Sequence, residues 1–227
     1  RSVSRGRRTV KRRGPFRKKR FMQRNIARIA RSVVLRAAET KTKPHSWGKT
    51  ELYHNSLSLV TELNQLQGLP QQGNDDHARN GDSILARGWK IRMLIGNKAD
   101  RPNVTYRIIV VARTTPSTPG YTHIFNNVSG NGLLDNIDRD QNTVLYQKWY
   151  KPNRGFVDTS ETGAREFTLP FKFWLGRKKT YKFDSAGYLS NDSKVWLCVL
   201  AYDAYGTLTT DNIAYIQLWT DFIYKDP

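Results

Sequence analysis

Positive charge is crowded at one end of this chain, and that asymmetry restricts what it can fold into. Of 38 Lys and Arg residues in 227, 17 fall within residues 1–43, where Glu39 is the sole acid. The leading segment therefore carries a net +16, whereas residues 44–227 carry 21 Lys/Arg against 18 acids, a net +3. Blocks of like charge repel themselves and stay solvated, so residues 1–43 are expected to be an interaction arm rather than part of a core. The expected partner is a polyanion, nucleic acid being the commonest. The remainder holds the apolar matter of a folded domain, since the chain as a whole is 38% hydrophobic and 11% aromatic. No run of 18 apolar residues exists, which argues against a membrane-spanning helix. Cys198 is the lone cysteine, so no intrachain disulfide can form and a disulfide scaffold is excluded. The first residue is Arg rather than Met, which leaves the true start open. The basic N-terminus lacks the apolar stretch of a signal peptide.

The arm divides in two. Residues 1–20 contain eleven Lys/Arg and no acid, and Gly6, Gly14 and Pro15 oppose a continuous helix there. Residues 1–19 are accordingly expected to be extended. Guanidinium forks pair two phosphate oxygens at once. That chemistry marks Arg5, Arg7, Arg8, Arg12, Arg13, Arg17 and Arg20 as phosphate ligands, with Lys11, Lys18 and Lys19 as point charges beside them. Phe16 offers a ring for an unpaired base. The clusters 11–13 and 17–20 also read as nuclear-import signals, a motif of low specificity. Residues 20–38 are expected to form an amphipathic helix. At 100° per residue, Met22, Ile26, Ile29 and Val33 fall within about 60° of arc, opposite Arg20, Arg24, Arg28 and Arg31. Such a helix can lie on a membrane, dock in a partner's groove, or sit between nucleic acid and an apolar wall. The acid-free stretch before it favours nucleic acid, so Arg24, Arg28 and Arg31 join the candidate ligands.

From residue 44 onward the apolar period is two rather than 3.6. In residues 83–95, Leu85, Trp89, Ile91, Met93 and Ile95 share one face, against Lys90 and Arg92. In 104–113, Val104, Tyr106, Ile108, Val110 and Ala112 align against Thr105, Arg107 and Arg113. Residues 167–175 alternate likewise, 195–202 are apolar on both faces, and 213–224 give a long last strand. Shorter segments at 50–60, 144–151 and 179–183 complete about eight strands. Long, uneven connections at 61–82, 114–142, 152–166 and 184–193 suit an all-β, two-sheet jelly roll better than an up-and-down barrel with its short hairpins.

The order of Arg-rich arm, basic amphipathic helix and eight-stranded sandwich resembles the coat proteins of very small icosahedral viruses. Locally, Gln72-Gly73-Asn74-Asp75-Asp76 and Arg79-Asn80-Gly81-Asp82-Ser83-Ile84, leading to Lys90-Ile91-Arg92, resemble the loop between the first two strands of satellite tobacco necrosis-type coats. They also resemble that loop in coats of circovirus-like, circular single-stranded DNA viruses. Val144-Leu145-Tyr146-Gln147-Lys148-Trp149-Tyr150 is similar to the fifth strand of the latter group, which often has Asp where Gln147 stands, and Tyr181-Lys182-Phe183 also fits. The resemblance implies a structural protein rather than an enzyme. It implies a shell of about sixty identical copies (T=1), a single-stranded genome with DNA favoured over RNA, a place in the virion, and a passage through the host nucleus with import factors and a receptor as further partners. Sixty arms carry on the order of 1,000 positive charges, enough to neutralise a genome of one to a few thousand nucleotides. The competing reading is a monomeric jelly-roll binding module, lectin-like or nucleic-acid-binding, with a basic tail.

Residues 1–43 are thus expected to be a nucleic-acid-binding arm and 44–227 a shell domain. Within the latter, the loops at 61–82 and 114–142 are the candidates for contacts between copies. Trp47, Tyr121 and Phe125 are either anchors in those contacts or packing under their own loops. His45, His54, His77 and His123 lack metal-ligand spacing, and no nucleophile elbow, P-loop or dinucleotide fingerprint is present. Asp135, Asp138 and Asp140 are a candidate calcium site, carboxylates at close spacing in a loop, set against ordinary turn and cap use of Asp. Asn103, Asn127 and Asn191 begin glycosylation sequons that a protein with nuclear-type clusters would not use.

Overall fold

A computed structural model describes residues 23, 25–26, 29–30, 33, 38–98, 100–101, 103–115, 117–126, 129–151, 166–176, 179–189, 194–203 and 207–226. The strands are β1 (Thr40–Tyr53), β2 (Ser56–Glu62), β3 (Ser83–Asn97), β4 (Thr105–Arg113), β5 (Thr143–Tyr150), β6 (Glu166–Trp174), β7 (Thr180–Lys182), β8 (Lys194–Tyr202) and β9 (Asn212–Lys225). They form two antiparallel sheets. One runs β1-β9-β3-β6, with β7 also paired to β3; the other runs β2-β8-β4-β5. Strands β6 and β7 both pair with β3, at Gly88–Gly96 and Ser83–Leu85 respectively, and so share one edge position. With that edge taken as one strand, first pairs with eighth, second with seventh, third with sixth and fourth with fifth. Such a wrapped ribbon, with alternate pairs assigned to opposite sheets, is a jelly roll.

The alternation seen in the sequence builds the core. Trp89, Ile91, Met93 and Ile95 of β3 meet Tyr106, Ile108 and Val110 of β4 and Val195, Leu197 and Val199 of β8 between the sheets. Trp89 is fully buried, its ring centroid 5.4 Å from that of Phe173 and 4.7 Å from that of Phe222. Residues 195–202 are apolar on both faces for a specific reason. Trp196, Cys198 and Leu200 point away from the first core and join Ile109, Val111, Ile124, Phe125 and Ile137 in a second one. The segment 114–142 supplies the cover of that second core, through the one-turn helix Tyr121–Ile124 and a bridge between Phe125 and Ile137.

Three expectations need correction. The strand expected at 50–60 is two strands. Asn55, at φ 48°, takes the left-handed turn that Asn tolerates and switches the chain from one sheet to the other. The Gln72–Ile84 loop consequently joins the second and third strands rather than the first two. Leu85 does not share a face with Trp89. A bulge between Ala86 and Gly88 shifts the alternation, so Ile84 and Ala86 face the main core before it and Trp89 after it.

Gly88 sits at φ 157°, and a Cβ there would lie 2.2 Å from the Phe173 carbonyl oxygen and 2.9 Å from the Trp174 Cα. Both obstacles are backbone of the paired strand and cannot rotate away. Gly88→Ala is expected to cost about 2–3 kcal/mol in urea denaturation, with altered exchange of the amides around 86–90 as the local signature.

Candidate nucleic-acid interface

Arg5, Arg7, Arg8, Lys11, Arg12, Arg13, Phe16, Arg17, Lys18, Lys19, Arg20, Arg24, Arg28 and Arg31 all lie outside the described residues, as does Met22. Within 20–38, Gln23, Asn25, Ile26, Ile29, Ala30 and Val33 are helical. Among the described residues of that segment, Ile26, Ile29 and Val33 are 63%, 59% and 58% exposed. Residues Thr40–Asp226 form a compact unit of their own. Lys41 and Lys43, counted with the arm above, belong to β1. Lys41 donates to the Ala78 carbonyl at 3.2 Å and lies 3.8 Å from the Asp226 carboxylate.

The 114–142 segment is organised around a buried cation. Arg107 points from β4 beneath the segment and is only 2% exposed. Its Nη1 donates to the carbonyls of Gly132 and Asp135 at 2.5 and 2.6 Å. The guanidinium sits 4.8 Å from the Phe125 ring centroid and 4.9 Å from that of Trp149. Burial pushes its pKa below the ordinary arginine value, while Tyr121 and Asp135 oppose the shift; a guanidinium remains charged at any working pH. Asn55 fastens the same segment from the β1–β2 turn, donating to the Gly130 carbonyl at 2.8 Å and accepting from the Gly132 N–H at 2.9 Å.

Asp135 is part of this framework. One carboxylate oxygen accepts from the Ser129 N–H and hydroxyl at 2.8 and 2.7 Å, the other from the Tyr121 hydroxyl at 2.9 Å. Burial, followed by the bond to Asp135, pushes the Tyr121 phenol well above its usual range. Asp138 caps a turn by accepting from the Asp140 N–H at 3.0 Å. Asp138 and Asp140 line a depression of about 430 Å³ together with Arg107, Asn136, Arg139 and Trp149. Asp135 is not among its lining residues, and no group of three or more His, Cys, Asp or Glu able to hold a metal occurs among the described residues.

Of the three proposed anchors, Phe125 is buried, Tyr121 packs against the second core, and Trp47 packs against the first while donating to the Thr220 hydroxyl at 3.4 Å. They support their own segments. Cys198 is fully buried and its thiol is pushed up to about 12 by desolvation, so it is not a poised nucleophile. No helix among the described residues is long and apolar enough to cross a membrane.

His54 is a buried titrating group tied to the fold. Its Nδ1 accepts the Asp203 N–H at 3.1 Å, which requires an unprotonated nitrogen. Nearby, Arg101 pairs with Asp203 at 3.5 Å and with Asp211 at 3.4 Å. Desolvation lowers the His54 pKa; Asp203 and Asp211 pull it back, and Arg101 adds to the lowering. The unfolded chain therefore binds a proton that the folded chain resists, and stability must fall as the pH drops below about 6.5. His45 shifts the same way, through desolvation and then Lys43. Denaturation midpoints between pH 5 and 8 are expected to decline on the acid side, and His54→Gln to flatten that slope.

Sequence reasoning missed the buried arginines. Arg107, Arg113 and Arg79 are each 2% exposed. The available signal was the position of Arg107 and Arg113 on the face opposite the main core, combined with an Asn- and Asp-rich segment long enough to cover it.

No family model matches the chain, and no curated protein does. Among solved structures, a chain from a structure of honeybee sacbrood virus in an expansion state aligns with 82% of this chain and 87% of its own, at 11% identity and a TM-score of 0.32. A chain from a semi-empty virus-like particle of the nodavirus of the giant freshwater prawn Macrobrachium rosenbergii aligns over 84% of each chain, at 11% identity and a TM-score of 0.34. A chain of the T13 IBDV particle aligns over 83% of this chain and 36% of its own, at 6% identity and 0.33. The fold assignment rests on the strand order given above.

Proposed function

We propose that this chain is a coat subunit that assembles into a small icosahedral shell and packages a single-stranded genome through its Arg-rich arm. The observation that carries the reading is the attachment of a leader of net +14, residues 1–39, to a jelly-roll body of net +5, residues 40–227. A jelly roll by itself serves many functions, so the charge asymmetry selects among them. The arm supplies sequence-tolerant neutralisation of phosphate with release of counterions, and the body supplies the surfaces that tile. On this reading the shell has about sixty copies related by closed point-group symmetry, the genome is DNA, and the protein passes through the host nucleus on its way to the virion. The test is electron microscopy and sedimentation of the purified full chain across pH and salt. Uniform closed shells are expected, and a strictly monomeric protein at high concentration would overturn the assignment.

A further inference from the structure

The outward face of the five-stranded sheet carries an arrangement that nothing above uses. Beyond the Gly88 bulge, side chains of β3, β6 and β9 fall into rows set by the pairing register. Trp174 opposes Gly88; Lys172 opposes Lys90, which opposes Asp221; Pro170 opposes Arg92, which opposes Trp219. Lys90, Arg92, Lys172, Trp174 and Trp219 are all exposed, the two tryptophans by 51% and 41%. Two lysines directly across a strand pair repel and destabilise the sheet. Neither has a carboxylate within ion-pair distance among the described residues.

The one acid in the middle of this face is engaged elsewhere. Asp221 pairs with Arg92 at 3.2 Å and accepts from the Trp219 indole N–H at 2.9 Å. It thereby fixes the Trp219 ring, with the Arg92 guanidinium 5.6 Å from its centroid. Beside that ring lies a shallow depression of about 360 Å³, bordered by Ser46, Arg92, Leu94, Thr168, Gln217 and Trp219. The far end of the sheet is different: Glu166 accepts from the Tyr215 hydroxyl, Lys49 sits 3.9 Å from the Tyr215 ring centroid, and Glu51 lies opposite Tyr215. Among the described residues, the exposed indoles and the facing lysine pair of this face thus lie at the Trp174–Trp219 end, whereas the cation at the far end, Lys49, is set against the Tyr215 ring and the acids Glu51 and Glu166.

We infer that this end of the sheet is a second nucleic-acid surface, on which unpaired bases stack against Trp219 and Trp174 while Lys90, Lys172 and Arg92 take the phosphates between them. A cationic track beside flat aromatic faces is the chemistry of sequence-tolerant single-strand binding. The strand and sheet spacings put the two Trp Cα atoms about 16 Å apart, within reach of one short oligonucleotide. An anion between Lys90 and Lys172 removes the repulsion that the register imposes. The inference deepens the coat-subunit reading and rests on it for the source of the strand. It does not depend on the arm for its geometry.

The test uses the full chain with photoreactive oligo(dT) and oligo(U), mapping cross-linked peptides and measuring affinity as a function of salt. Cross-links are expected in 88–94, 167–175 or 215–221, besides those in the arm. Trp219→Ala should weaken oligonucleotide binding about tenfold, with Trp219→Phe retaining most of it. Lys90→Gln with Lys172→Gln should reduce the slope of log affinity against log salt by about 1.4 for single strands. Cross-links confined to residues 1–38, with unchanged affinity in all these variants, would overturn the sheet surface while leaving the arm reading intact. Binding to neither oligonucleotide at low salt would overturn both. Protection of Trp219 from chemical oxidation in nucleic-acid-free protein, rising with protein concentration, would instead assign the face to a second copy of this chain and would also overturn the inference. Equal results with oligo(dT) and oligo(U) are expected from stacking and charge; a requirement for one of them would identify the genome chemistry.

Discussion

Arg107→Ala is expected to lower the stability of the body by about 3–5 kcal/mol, the combined cost of leaving buried carbonyls without a charged donor and of the cavity left by a large side chain. The guanidinium satisfies the carbonyls of Gly132 and Asp135 and fills the space between the Phe125 and Trp149 rings. Its loss leaves two buried carbonyl oxygens without that donor and opens a cavity beneath 120–138. Arg107→Lys keeps the charge as a point ammonium without the planar fork, and recovers only part of the loss. The measurement is urea denaturation together with amide exchange. The amides of Phe125, Asn126, Leu134, Asp135 and Asp138, which bond within this segment, should lose protection before those of β3 and β9. A cost below 1 kcal/mol would mean that the segment is held by its apolar residues alone.

Nucleic-acid binding is expected to be among the steepest functions of salt that the chain displays. If all eleven cations of residues 1–20 engage phosphate, they contribute about −8 to the slope of log affinity against log salt, and through them alone raising salt from 50 to 200 mM lowers affinity by about 5 × 10⁴-fold. With residues 1–20 removed, Arg24, Arg28 and Arg31 contribute about −2 and the sheet cations Lys90, Arg92 and Lys172 about −2 more, so the slope falls to about −4. The folded body should be unaffected by that removal, because β1 begins at Thr40 and the core residues all lie beyond it. A shallow slope in the full chain, or an undiminished one after truncation, would remove the arm from the mechanism.

Much of the sandwich was legible in the residues. Alternation at Trp89–Ile95 and Phe167–Leu175, and two-faced apolarity at Val195–Tyr202, correspond to β3, β6 and β8 because an antiparallel sheet with one dry face imposes period two and a strand dry on both faces imposes none. What escaped was carried by single residues. Nothing in the pattern of 50–60 announces that Asn55 takes a positive φ and splits it. Gly88 is one residue whose bulge reverses the sidedness of Leu85. The second core was hidden because its cover, Ile124, Phe125 and Ile137, is scattered through a segment with the composition of a loop. Its central contact, Arg107, is a residue that ordinarily faces water; only the length of the segment opposite makes its burial possible. The polar stacking face was half legible, since Lys90 and Arg92 were assigned to the side away from the core. Their juxtaposition with Lys172, Trp174 and Trp219 depends on sheet order, which periodicity does not reveal.

The most direct test of the proposed mechanism is the amount of nuclease-protected nucleic acid per subunit, compared between the full chain and a variant in which the Lys and Arg residues of 5–20 are replaced by Gln. The account predicts protected polynucleotide on the full chain, its nearly complete loss in the variant, and the same denaturation profile of the body in both. Equal protection in the two proteins, or none in either, would contradict it.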